Sequence, residues 1–214
     1  MTTGRWDELN YVVVDVEGNG NRPPDLVELA IVPILHGQIG EPRSWLVRPP
    51  HPIQWHARNI HGISNDDVAH APTIAEVADD VLAALAAGVP VGHNAHVDLD
   101  VLTRSLPGWQ PAEAFDTLKL ARRAWNLTSY RLGALVRHRR LDADIPDGLR
   151  PHRAGYDALV TARLFVDLIA SSAAGEDCML DELRRYGLVA GLGTASTVAG
   201  RRPAASDPTL FDLP

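Results

Sequence analysis

The sequence predicts an α/β domain built on a mixed five-stranded sheet with helices on both faces. Two patterns carry that expectation. Three strand-like segments come first, and helices then alternate with short strands, the order of an α/β chain. Within the first segment Val12, Val13 and Val14 stand in a row, as expected of a strand covered on both sides.

Residues 11–16, 26–35 ("LVELAIVPIL") and 44–49 read as the first three strands. The turn-rich "GNGNRPPD" between the first two predicts an antiparallel hairpin. In "TIAEVADDVLAALAAG" the apolar residues at 74, 77, 81, 82 and 85 keep helical spacing, and Gly88 closes the helix. "VPVG" (89–92) reads as a fourth strand, and a helix from Val97 to Leu106 stops at Pro107-Gly108. "EAFDT" reads as a fifth strand leading into the helix "LKLARRAW". Ser129 is placed to cap "YRLGALVRHRR". From Ala154 to Ala170, the residues Ala158, Ala162, Phe165 and Ile169 form a core-facing stripe, and "LDELRRYG" adds a last short helix. Residues 1–187 are therefore expected to form the folded domain. Residues 188–214 are expected to be a linker and tail, the Gly/Ala-rich stretch from Val189 to Ser206 being the flexible part.

The 214 residues suffice for one domain with a sizeable core, and 45% hydrophobic with 22% charged residues places the chain among globular proteins. Cys178 is the only cysteine, which excludes an intramolecular disulfide and a thiolate zinc cluster and suits the cytoplasm. The first ten residues lack the basic-then-apolar order of a signal peptide. The most apolar helical stretch is interrupted by Asp79, Asp80, Gly88 and Pro90, too short to span a bilayer. A net charge of −7 argues only weakly against a nucleic-acid partner, because carboxylates that hold cations count as negative until the cation binds. Lys119 is the sole lysine beside nineteen arginines, a bias that permits bidentate phosphate contacts.

Three short motifs carry chemistry. Asp15 and Glu17 stand two apart at the end of the valine strand, so an extended chain aims both carboxylates the same way. They repel unless one is protonated or a cation intervenes, and a hard divalent ion such as Mg²⁺ or Mn²⁺ suits oxygen ligands. A hairpin end with two solvated acids fits the motif as well. In "VGHNAHVDLDVL" a strand turns into a helix, the place where α/β sheets build sites. Asp98 lies in its first turn, where a solvated acid is also at home, and Asp100 reads as such an acid. His93 and His96 have the spacing of a metal pair, but nothing around them supports zinc. In "PHRAGYDALVTA", His152 and Asp157 would lie about 140° apart on one helix. They share a site only if His152 precedes the helix, which Pro151 favours.

Together and in this order, Asp-x-Glu, His-Asn-x-x-x-Asp and His-x-x-x-x-Asp resemble the histidine-containing (DEDDh) branch of the DEDD superfamily of 3′-to-5′ exonucleases. That branch includes the DNA polymerase III proofreading subunit and ribonuclease T. The likeness covers Tyr11 to Ile169 and extends to "LVELAIVPI", "NIHGIS" and "FDTLKLAR". It implies a ribonuclease H-like fold, two divalent ions, Mg²⁺ or Mn²⁺, on Asp15, Glu17, Asp98 and Asp157, and His152 as general base. Gly18 and Asn94 would contact the terminal nucleotide. "DVEGNG" stands where proofreading members often read Asp-x-Glu-Thr-Thr-Gly, and Val97 stands where many relatives carry an aromatic. Both departures bear on which nucleic acid is preferred.

The expectation is a 3′-5′ exonuclease releasing nucleoside monophosphates from single-stranded ends, DNA ahead of RNA. An exoribonuclease, a phosphodiesterase or phosphatase acting on small nucleotides, and a catalytically silent binding module are the alternatives. Arg122, Arg123, Arg131, Arg137, Arg139 and Arg140 are candidates for lining a strand groove, as solvated helix faces are for explaining them. Trp45, Trp55, Trp109 and Trp125 are candidates for stacking on bases or for packing in the core. The end "SDPTLFDLP", with Leu210-Phe211, resembles peptides that dock on the bacterial sliding clamp, with Asp207 where such peptides usually begin with glutamine. A disordered end with chance hydrophobics fits it too.

Overall fold

A computed structural model describes residues 4–172 and 175–192 of the chain. Among them, one sheet is formed by β1 (Tyr11–Gly18), β2 (Leu26–Leu35), β3 (Gln38–Ile39), β4 (Arg43–Leu46), β5 (Val89–Gly92) and β6 (Phe115–Asp116). The strand order is β3-β2-β1-β5-β6, with β4 also on β2. The first hairpin is antiparallel as expected, while β5 and β6 run parallel to β1. Six strands replace the expected five because β3 and β4 share the outer edge of β2, pairing at Ile34–Leu35 and Glu28–Ile31. Pro33, which has no N–H for a ladder, stands between those two stretches.

The helices are α1 (Trp55–His61), α2 (Asn65–Val68), α3 (Ile74–Leu85), α4 (His96–Ser105), α5 (Thr117–Ala124), α6 (Leu132–Arg139), α7 (Ala154–Ala170) and α8 (Leu180–Gly187). Strand alternation divides the core. Tyr11 and Val13, with Ala30, Val32 and Ile34, face α7 and its Ala158, Ala162, Phe165 and Ile169. Val12, Val14 and Val16, with Leu29 and Ile31, face Val81 and Leu85 of α3 and Val101 and Leu102 of α4. The valine run is thus covered on both sides. Helix α7 is buried on a second side too, where Val160, Leu164 and Leu168 meet Ala121 of α5 and Leu135 and Val136 of α6.

Several local expectations need correction. Ser129 does not cap α6. The helix starts at Leu132 behind Arg131, which makes no side-chain cap bond, because Tyr130 is held elsewhere, its hydroxyl donating to the Trp125 carbonyl at 2.7 Å. Val189 is not free linker: it is buried beside Ala95, Leu99 and Ala114, and its N–H donates to the Ala114 carbonyl at 2.8 Å. Residues 193–214, with the rest of the expected linker and the clamp-like peptide, lie outside the described residues. No helix among the described residues is long and apolar enough to cross a membrane.

Candidate active site

The parity that builds the core also aims the acids. Asp15 and Glu17 continue the Tyr11–Val13 series toward α7, past Val13↔Val91, the last β1–β5 pair. Sheet cover ends there and the face meets the start of α7. Asp157, in the first turn of α7, brings its carboxylate to meet theirs. Oxygens of Asp15, Glu17 and Asp157 lie within 4.8 Å of one another.

Asp98 arrives from the other side of the sheet. Beyond the end of β5, the Val16 N–H has no strand partner on that edge, and Asp98 Oδ1 accepts it at 3.1 Å. Asp98 is therefore bonded between the two β1 acids, although its own oxygens fall outside the close trio. Gly92 makes this approach possible: a Cβ there would stand 3.0 Å from the Ala95 Cβ and 3.4 Å from Asp98 Oδ2.

His152 precedes α7 in a loop, as its spacing from Asp157 required. Its backbone is left-handed, φ 61°, and its N–H donates to Asp157 Oδ2 at 3.0 Å. The exposed histidine is thereby tied to the carboxylate trio. Asn94 is likewise left-handed, φ 64°, and its N–H donates to Asp116 Oδ1 at 2.9 Å. The same oxygen accepts the Leu118 N–H at the start of α5. Gly18 has a structural reason of its own. A Cβ there would lie 2.8 Å from the Pro24 Cβ, so the position is closed by the hairpin.

Sequence reasoning missed Glu28 and Arg153. Glu28 lies opposite Glu17 in the β1–β2 register and is 4% exposed. Its carboxylate accepts Arg153 Nε at 2.9 Å, Arg153 Nη2 at 2.5 Å and the Ala154 N–H at 3.0 Å. Stranding a buried carboxylate by removing its partner costs about 3–5 kcal/mol. Arg153 is held accordingly, and with it the loop that presents His152. The signal was a lone acid inside the apolar run "LVELAIVPI". The metal-pair reading of His93 and His96 fails: both His93 ring nitrogens are occupied, by Thr117 Oγ1 and the Tyr130 carbonyl, each at 2.9 Å.

Some of the candidate groove arginines make contacts within the chain. Arg139 pairs with Asp167 of α7 at 2.8 Å and lies over Trp125, while Arg123 lies over Tyr186. Of the tryptophans, Trp45 is buried and donates to Asp80, and Trp109 and Trp125 are half-buried in the core clusters. Trp55 is 77% exposed.

Crowding raises the acids' affinity for protons. Burial pushes Asp98 up to about 8. Burial, aided by Glu28, pushes Asp157 up to about 7 against the His152 N–H, which stabilises the charge. Asp15 and Glu17 are driven well above the carboxylate range, first by burial and then by Asp157 and their other acidic neighbours. Neutrality at ordinary pH thus requires protons or a cation, and the all-oxygen donor set fits a hard divalent ion.

Comparison with known proteins agrees with this geometry. The family model described as "Exonuclease" matches residues 12–165. The chain belongs to the exonuclease family. As an enzyme it is a 3′-5′ exonuclease, a phosphodiester hydrolase. Exodeoxyribonuclease 10 of Escherichia coli K12 is 36% identical over 177 residues, 83% of this chain and 76% of that protein. The 3′-5′ exonuclease DinG of Bacillus subtilis is 32% identical over 187 residues, 84% of this chain but 20% of that protein. The structure of Exonuclease X in complex with 5′ overhanging duplex DNA superposes with a TM-score of 0.65 at 35% identity, covering 81% of this chain and 99% of that one. The nuclease domain of 3′hExo, a DEDDh family member bound to rAMP, shares the fold at a TM-score of 0.61 and 15% identity.

A carboxyl with a raised folded pKa binds its proton more tightly in the native state than in the unfolded one. Its contribution opposes folding as pH rises from the unfolded range near ~4 through about 7 for Asp157 and about 8 for Asp98. In chelator, the melting temperature is expected to fall between about pH 5 and about pH 9. Mg²⁺ or Mn²⁺ should restore it, more at the upper pH than the lower. A melting temperature in chelator that climbs over this range, or is indifferent to the metals, would contradict the geometry.

Proposed function

We propose that this exonuclease removes nucleoside monophosphates one at a time from single-stranded 3′ ends, with DNA preferred to RNA. The observation that supports it most is the convergence of Asp15, Glu17 and Asp157 within 4.8 Å, with Asp98 bonded between the β1 acids. These four carboxylates would hold two divalent ions, Mg²⁺ or Mn²⁺. When bound, the ions lower the pKa of a water and neutralise the scissile phosphate.

The protein's own groups do the rest. Asp15 and Glu17 are fixed by strand parity, and Asp157 by the His152 N–H. His152 acts as general base and takes the proton of the attacking water. An imidazole suits that role near neutral pH. The new P–O bond forms from that water, and the bond to the 3′-oxygen of the preceding nucleotide breaks. Backbone at Gly18 and Asn94, anchored by Pro24 packing and by Asp116, borders the terminal nucleotide. The preference for DNA is supported by the likeness to an exodeoxyribonuclease and to a DNA-bound exonuclease above 30% identity. Matched DNA and RNA oligomers compared in one assay test it.

Asp15→Asn is expected to lower release of mononucleotide from a 3′-labelled oligomer by about a thousandfold, roughly 4 kcal/mol of barrier. Its melting temperature in chelator at alkaline pH should not fall, because one repelling charge is gone. Undiminished hydrolysis in that variant would overturn the assignment. We further propose that residues 207–214, outside the described residues, dock on a sliding clamp. Deleting them should abolish clamp pull-down while leaving oligomer degradation unchanged, and equal pull-down without them refutes the docking.

A further inference from the structure

Helix α1 runs along the rim of the site. At its start, the Gln54 N–H donates to the Asn19 carbonyl at 2.8 Å, and His56 Nε2 meets the Gly20 carbonyl at 3.2 Å. Both contacts fall on the turn that follows Glu17 and Gly18. At its end, Arg150 Nη2 donates to the His61 carbonyl at 3.3 Å, two residues before His152. One short helix thus touches the segment leaving the β1 acids and the loop that presents the histidine. Its inner face is fixed by Ala57 and His61, both buried.

The outward face carries Trp55, 77% exposed, and Arg58, also exposed. Residues three apart on a helix are neighbours on its surface. An indole left in water loses the burial that a side chain of its size would gain in a core, while Trp45 in the same chain is buried. A flat aromatic surface next to a cation matches a nucleotide unit, whose base stacks and whose phosphate pairs with charge.

We propose that Trp55 stacks on a nucleobase of the bound strand, with Arg58 beside it facing the backbone, so that α1 grips single-stranded DNA upstream of the scissile bond. The inference rests on the proposed substrate and deepens it. Stacking needs only a base's π face, so it sets affinity for strand length rather than sequence.

The test uses the full chain, wild type and Trp55→Ala and Trp55→Phe. Stacking contributes enough that its loss weakens binding by about 5- to 100-fold. Trp55→Ala should therefore raise KM for a single-stranded DNA oligomer by that factor. It should leave kcat, and hydrolysis of a dinucleotide, within about twofold of wild type. Trp55→Phe should recover most of the lost affinity. Fluorescence anisotropy of a labelled oligomer in chelator reads the same contact without turnover, so it remains decisive even if the wild type proves inactive. Inactivity would sink the proposed function alone. Equal oligomer affinity for wild type and Trp55→Ala would overturn the stacking role.

Discussion

Mutual repulsion among carboxylates at one end of the sheet is the constraint around which the rest of this structure is arranged. Asp15, Glu17 and Asp157 stand within 4.8 Å of one another, Glu17 buried and the other two half-buried, and Asp98 joins them through the Val16 N–H. Like charges at such separations interact strongly in a poorly solvated site. A fold that tolerates this must hold each acid by something other than its charge. Here strand parity holds two, a backbone N–H holds each of the other two, and the apolar core behind the sheet keeps the strand and helices in place.

The surroundings show how narrowly the repulsion is contained. Glu28 is a further acid on the face of Asp15 and Glu17, directly across from Glu17, yet three N–H donors bind it. Its ion pair with Arg153 turns a further liability into the anchor for the His152 loop. Had Glu28 been left bare, the site would gain a fifth unpaired acid. As built, only those suited to hold cations remain without a bonded guanidinium in the site's own ladder. The same economy appears at Asp116, whose one oxygen starts α5 and fixes the Asn94 backbone.

Much of this was legible in the chain. Two-sided cover of β1, helical spacing in α3 and α7, and the offset between His152 and Asp157 follow from local geometry, and each element formed where its pattern placed it. What escaped depended on contacts between distant parts of the chain. Helix α1 carries only Ala57 and His61 inward, too little apolar periodicity to announce itself. Glu28 and Arg153 lie 125 residues apart, so their pairing depends on sheet register and on where α7 lands. Ser129 looked like a cap because its type fits one, but Tyr130 and His93 hold that loop through contacts no short window contains. The four aromatic candidates for stacking were indistinguishable as letters, and only burial separated Trp55 from Trp45.

The central claim is that divalent cations take the place of protons among these carboxylates. Calorimetric titration of the chelated protein with Mn²⁺ near pH 7, repeated in buffers of different ionisation enthalpy, measures that exchange directly. About one proton or more should leave per chain as the metal binds, with the number falling as pH rises past about 7 for Asp157 and about 8 for Asp98. Saturable binding at neutral pH that releases no protons would contradict the account.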